Sequence, residues 1–262
     1  MKFIHLSDTH LLPNSQLVHG IDVCARLKAA VDSICKNFAD AEFCMMTGDI
    51  AELGDRESYF DAKHILNRLP FPWYGLMGNH DIRSVARDVL VDFPWHSDGY
   101  LQYELETKAG QFIILDSLHS DDVHSGQLCK ERLGWLRDKL NIAKTNGKNV
   151  FLFMHHVPFD IGVPWLDRIK MENGAELWEI LADFRNIRHM FFGHVHRPIH
   201  GSWHDIPFST VKATAHQVAL TFGEPELRFI GENPSYAIVL IDDDQVVIHD
   251  HSFMEEHLPA VE

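Results

Sequence analysis

Aspartate, asparagine and histidine recur in this sequence where short apolar runs end. Asp8-Thr9-His10 follows residues 2–6, Gly48-Asp49 follows 43–47, and Gly78-Asn79-His80-Asp81 follows 73–77. His155-His156 follows 150–154, and Gly193-His194-Val195-His196 follows 189–192. Carboxylate, amide and imidazole groups are oxygen and nitrogen donors suited to first-row divalent cations. Taken singly, each cluster has a plainer reading. Ser7, Asp8 and Thr9 are turn formers, Asp49 and Asn79 are ordinary loop residues after glycine, and a solvent-facing pair would show the same His194-x-His196 spacing. Taken together they are harder to dismiss, because ligand sites of open α/β sheets lie beyond the carboxyl ends of the strands. Loops of that kind converge on one crevice, and Gly48, Gly78 and Gly193 permit the tight turns that aim their neighbours.

The elements that must position these loops alternate. Residues 2–6 read as a strand, and 22–38 as a helix with Val23, Leu27, Val31, Ile34 and Phe38 at helical spacing behind an Asp22 cap. Strands at 43–47 and 73–77 flank a helix at 57–69, giving a βαβαβ unit. A hairpin is expected from 100–106 and 111–116 around Lys108-Ala109-Gly110, followed by a helix at 130–143. The pattern then restarts with a strand at 150–154, a helix at 175–184 and a strand at 189–192. From 203 onward the chain reads as β-rich, closing in a hairpin at 236–241 and 245–249 around Asp242-Asp243-Asp244. The class is α/β.

Asp8-x-His10, Gly48-Asp49, Gly78-Asn79-His80-Asp81, His155 and Gly193-His194-x-His196, in that order, resemble the motifs of the binuclear, calcineurin-like metallophosphoesterases. Within that superfamily the sequence is most similar to class III cyclic nucleotide phosphodiesterases and bacterial glycerophosphodiesterases. The resemblance implies a four-layer α/β/β/α sandwich with mixed sheets, formed as one domain over 1–262, its β-rich part at about 203–250 available for oligomerisation. It implies two divalent ions, Fe or Mn first and Zn or Co as options. One would be held by Asp8, His10, Asp49 and His196, the other by Asp49, Asn79, His155 and His194. It further implies attack of a metal-bridging hydroxide on phosphorus, with His80 contacting phosphate or protonating the leaving oxygen. Asp81 would orient an imidazole from behind, or else cap the following helix.

The charge balance fits a small monoanionic diester. Two divalent ions less two carboxylates and a hydroxide leave about +1 at the centre. Asn79, His80, His19, Asn173 and His216 are the substrate-binding candidates, with His156 and Glu172 beside them. Asn173 has an alternative role as a helix cap. Residues 207–231, with Phe208, Phe222 and Phe229, are expected to project apolar surface for a dimer or larger homo-oligomer.

The 262 residues carry 23 Lys plus Arg against 38 Asp plus Glu, a formal charge of −15. So acidic a body repels polyanions, which argues against a nucleic-acid or anionic-membrane partner; the short basic runs at 83–87 and 185–188 read as helix faces or ends. Phosphomonoesterase and nuclease activities are the rival enzymatic readings, and a non-catalytic binding scaffold the rival outside enzymes. Cys24, Cys35, Cys44 and Cys129 have no C-x-x-C spacing and read as reduced thiols. No signal-like leader or 18-residue apolar run is present, so the expectation is a cytoplasmic protein.

Overall fold

The computed structural model describes residues 1–119, 124–223 and 226–254. β1 (Lys2–Leu6), α1 (Val23–Asn37), β2 (Cys44–Met46), α2 (Arg56–Leu66), β3 (Trp73–Gly75) and α3 (Arg83–Val89) come first, then the hairpin β4 (Tyr103–Thr107) and β5 (Gly110–Ile114). Next come α4 (Lys130–Thr145), β6 (Val150–Met154), α5 (Pro164–Arg168), α6 (Gly174–Leu181) and β7 (Ile187–Phe192). The closing part holds β8 (His200–Trp203), β9 (Ile206–Thr210), β10 (Gln217–Val218), β11 (Phe229–Ile230), β12 (Ser235–Ile241) and β13 (Val246–Ser252).

Local sequence explains the better-defined ends. The Asp22 carboxylate accepts the Ala25 amide at 2.8 Å, so α1 starts as its cap predicts and buries Val23, Leu27, Val31 and Ile34. Asp55 does the same for α2 through Ser58 N at 2.9 Å, a cap that the reading of 57–69 passed over. Helix α3 lies where the run 83–87 reads as a helix face, and α5, too short to show a periodic stripe, went unpredicted.

Two mixed sheets face each other. One has the order β13-β12-β1-β2-β3, the other β4-β5-β6-β7-β9-β8, and a two-stranded ribbon β10-β11 stands apart. β1, β2 and β3 run parallel, as do β5, β6, β7 and β9. The tail returns as β12 antiparallel to β1, which makes the last hairpin an integral part of the first sheet. Its acidic turn closes on Asp242, whose carboxylate accepts the amides of Asp244 and Gln245 at 2.9 Å each.

Side-chain alternation divides the second sheet between two cores. Phe112, Phe151, Phe153 and Phe191 join the core of the first sheet, while Ile113, Leu152, Met190 and Phe192 join the core beneath α4 and α6. Phe3 of β1 ties the sheets together. It stacks on Phe43 at 5.1 Å and meets Phe112, Phe153 and Phe191 edge-on at 5.5 to 5.9 Å. Each such buried ring contributes roughly 1.5–3 kcal/mol. With helices outside both sheets, the expected four layers are present.

Of the three aromatics expected to project from 207–231, Phe208 does not. Phe208 is buried in the second core against Phe159 and Phe192, because β9 is an internal strand of its sheet. Phe222 is 70% exposed. All four cysteines are free, and among the described residues no helix is long and apolar enough to cross a membrane.

His189 of β7 is a polar group placed in this packing. Its Nε2 pairs with Ser209 Oγ at 3.0 Å, and burial lowers its pKa to about 3. The folded state therefore holds it neutral, whereas the unfolded chain protonates it near 6.5. Between about pH 6.5 and 3 the unfolded state binds the extra proton, so stability falls as pH falls, by up to ~1.4 kcal/mol per pH unit from this group. In denaturant titrations at pH 7.5 and 5.5, His189→Gln, which can still bond Ser209, should lose about 1 kcal/mol less than the wild type over that interval. Equal losses would remove His189 as a source of acid lability.

Candidate metal centre

The loops beyond β1, β2, β3, β6 and β7 meet in one place. Backbone bonds stitch them together: Asp8 N donates to Gly48 O (3.1 Å), His10 N to Asp49 O (2.9 Å) and Gly193 N to His155 O (3.2 Å). The His194 amide donates to both Asp8 carboxylate oxygens at 3.2 Å, joining the two sheets at the site itself. Little room is left between the loops. A Cβ on Gly48 would fall 2.6 Å from His155 Nδ1, and one on Gly78 would collide with the Asp49 carboxylate. Asp8, His10, Asp49, His194 and His196 all have φ between 46° and 68°, left-handed backbone that costs a non-glycine residue about 1 kcal/mol or more. Such strain persists only where surrounding structure imposes it, and here it falls on the predicted ligands.

The imidazoles are oriented by their outer nitrogens. His10 Nδ1 donates to Glu52 Oε2 (2.6 Å), and His196 Nδ1 to His216 O (2.8 Å). His155 Nδ1 donates to Thr47 O (2.7 Å), and His194 Nε2 to Ile169 O (3.1 Å). Because carbonyls and carboxylates accept only, each ring, once neutral, turns a lone pair inward. His10 Nε2 and His196 Nε2 then face each other at 3.1 Å, with Asp49 Oδ2 3.5 Å from the first and Asp8 Oδ1 3.3 Å from the second. On the other side Asn79 Oδ1 lies 3.2 Å from His155 Nε2 and 2.9 Å from His194 Nδ1, and Asp49 Oδ2 lies 3.3 Å from His155 Nε2. Electron-rich atoms converge on two points that share Asp49, an arrangement that calls for cations.

The titration behaviour agrees. Burial would raise Asp8, yet His196 alongside brings it down to about 2. Burial works against a charge on His155, but Asp49 holds its imidazolium up to about 9, a proton whose place a divalent cation would take. Burial lowers His10, and it lowers His194 to about 3, so both stay neutral.

Other histidine groupings are less suited to an ion. His156 sits behind the site with Nδ1 on Ser117 Oγ (2.9 Å) and Nε2 on His124 O (3.2 Å), leaving no free lone pair directed at the cleft. His80 uses Nδ1 to donate to Glu52 O (2.9 Å), which leaves Nε2 for the cleft, and its amide donates to Asp49 Oδ1 (2.9 Å). Burial lowers the His80 pKa, but Asp49 and Glu52 outweigh it and the net shift is upward.

A cleft of about 210 Å³ opens over the donors, and His19, His80 and His216 line it. Asn173 does not. Its side chain brackets Leu128, accepting from N at 3.1 Å and donating to O at 2.8 Å, and it makes no cap bond to α6. Glu172 is exposed on the same segment and also lies off the cleft. Asp81 orients no imidazole and caps no helix. It accepts the amides of Ile50 (3.1 Å), Ala51 (3.2 Å) and Gly78 (2.9 Å) and the Tyr59 hydroxyl (3.0 Å), clamping the Asp49 loop to the Asn79 loop.

The sequence reading missed Glu52 altogether. Its spacing from Asp49 was the only clue, because the contact to His10 spans two loops. Outer partners of this kind change metal affinity about 10–100-fold, so Glu52→Gln should retain metal roughly tenfold less tightly in chelator competition. Affinity equal to wild type would show that His10 needs no such anchor.

Residues 1–198 match the family model described as calcineurin-like phosphoesterase. The chain is 36% identical to a probable cyclic nucleotide phosphodiesterase of Rhodopseudomonas palustris, over 97% of this chain and 93% of that protein. It is 29% identical to a probable glycerophosphodiester phosphodiesterase of Arcobacter nitrofigilis, over 94% and 90%. Among solved structures, a dimetal phosphatase from Danio rerio superposes with a TM-score of 0.74 at 13% identity, covering 97% of this chain and 96% of that one, a likeness of fold alone.

Proposed function

Since the chain belongs to the calcineurin-like phosphoesterase family, we propose that it is a metal-dependent phosphodiesterase acting on small diesters, cyclic nucleotides first and glycerophosphodiesters second. The relatives named for those activities support the substrate class. The observation that carries the reading is the pair of inward-facing donor sets sharing Asp49 Oδ2. Asp8, His10, Asp49 and His196 would hold one ion, and Asp49, Asn79, His155 and His194 the other, with Fe or Mn preferred. When bound, two such ions supply Lewis-acid charge to the phosphoryl oxygens and activate water at neutral pH.

The chain's own residues do the rest. Asp49 spans both donor sets, and its Oδ1 is steadied by the His80 amide. His80, tied at Nδ1, presents Nε2 to the cleft, where it can donate to a phosphate oxygen or to the departing alkoxide. No Lys or Arg is found among the described residues lining the cleft. A dianionic monoester or a polynucleotide would thus meet no Lys or Arg among those residues, which favours a singly charged diester. The whole chain acts as one catalytic unit in this reading, since β12 belongs to the sheet that carries Asp8 and Asp49. Exposed Leu220 and Phe222 remain available for self-association.

Hydrolysis of a chromogenic diester and the matching monoester, after chelation and again after Mn²⁺ is returned, tests the assignment. Diester turnover should vanish on chelation and return with about two ions per chain. Bound metal without turnover of either ester, or monoester preferred over diester, would overturn it.

A further inference from the structure

Away from the donor sets the cleft is walled by rings and aliphatic groups. Phe229 lies face to face with His19, centroids 4.2 Å apart and 29° between planes, and His216 meets it edge-on at 4.6 Å and 87°. Phe229 is nevertheless 41% exposed, and Trp165, which lines the same cleft, is 37% exposed. Two large aromatic side chains therefore keep uncovered surface at the mouth of a polar site, beside Ile169 and Leu227. Phe229 is held there through the ribbon β10-β11, where Val218 pairs with Phe229 and the neighbouring His216 carbonyl orients His196. The wall is thus tied to the donor set through the carbonyl that precedes the ribbon.

Resting on the phosphodiesterase reading above, we propose that Phe229 and Trp165 form a subsite for a neutral, flat heteroaromatic group of the diester, a nucleobase. Several features select that chemistry. The volume of about 210 Å³ suits one compact ligand and not a long acyl chain. Ring faces accept any base by stacking. The ring behind Phe229 is an imidazole, and the carboxylates among the described residues lining the cleft, Asp49 and Glu52, are engaged at the donor sets and by His10, which leaves neither for a cationic headgroup. The subsite would separate cyclic nucleotides from glycerophosphodiesters through KM.

The test uses the full chain loaded with Mn²⁺, as wild type, Phe229→Ala, Phe229→Trp and Trp165→Ala. Values of kcat/KM are measured for 3′,5′-cyclic AMP and for glycerophosphocholine, and adenosine, which carries no phosphate, is titrated calorimetrically. Phe229→Ala should lower the cyclic AMP to glycerophosphocholine ratio about tenfold, mainly through KM, and weaken adenosine by a similar factor. Trp165→Ala should move both in the same direction, and Phe229→Trp should restore them. A ratio unchanged by Phe229→Ala, or wild-type protein that does not bind adenosine, overturns the subsite. A larger loss on glycerophosphocholine overturns it in favour of a cationic headgroup. If wild type hydrolyses no diester, it is the underlying reading that has failed, and adenosine binding alone then decides the subsite.

Discussion

Replacing His80 by alanine is expected to lower diester turnover by about 10²–10⁴-fold while leaving the metal content per chain at its wild-type value. Both halves follow from the ring's bonds. His80 Nδ1 carries a proton to Glu52 O, and its Nε2 is not among the inward-facing donors, so removing the ring takes nothing from either cation set. The His80 backbone amide, which survives the substitution, still supports Asp49 Oδ1. What disappears is a donor at the mouth of the site, one that nearby carboxylates keep inclined to hold its proton. Leaving groups separate the two roles open to it. A p-nitrophenyl diester expels a weakly basic phenolate and needs little protonation, so its loss should be smaller than for a diester expelling an alkoxide. Equal losses would make His80 a phosphate-binding group, and unchanged turnover would end its assignment.

How far the sequence could be read depended on the range of the interaction. Loops after β1, β2, β3, β6 and β7 were legible because each polar cluster directly follows a buried run, and the hairpin of β4 and β5 was legible from its turn. Long-range placement was not. Asn173 lies close in sequence to Ile169, which lines the cleft, yet its amide is claimed by Leu128, 45 positions away. Asp81 was expected to serve a neighbouring ring, but its partners Ile50 and Ala51 come from the preceding strand's loop. Glu52 had only its spacing from Asp49, and Phe229 read only as apolar surface; one acquires meaning from His10, the other from His19. The left-handed backbone of Asp8, His10, Asp49, His194 and His196 was equally hidden, since glycine is the residue from which a sequence suggests positive φ. Local chemistry named the donors, and tertiary contacts decided which of their neighbours serve them.

Asp49→Asn should have the most complete effect. Asp49 is the residue whose carboxylate reaches both donor sets, 3.5 Å from His10 Nε2 and 3.3 Å from His155 Nε2 through the same oxygen. An amide keeps the shape but withdraws the charge. If Nδ2 takes the place of Oδ2, its protons can satisfy the very lone pairs that a cation would bind; if oxygen takes that place, one negative charge is still missing from between two divalent ions. Either way both ions are weakened together, by more than the roughly 10–100-fold that loss of an outer partner causes, and turnover should become undetectable above the chelated wild type. The metal-free fold should suffer in parallel. Asp49 there faces the His155 imidazolium, 3.3 Å away, which it holds up to about 9, and its Oδ1 accepts the His80 amide. The amide withdraws one partner of a buried charge pair, so Asp49→Asn measured in chelator should unfold below the wild-type Tm. Metal titration and thermal unfolding should therefore fall together. Retention of one tightly bound ion per chain would show that the two donor sets do not share Asp49, and a Tm at or above wild type in chelator would show that its carboxylate supports no charge in the metal-free fold.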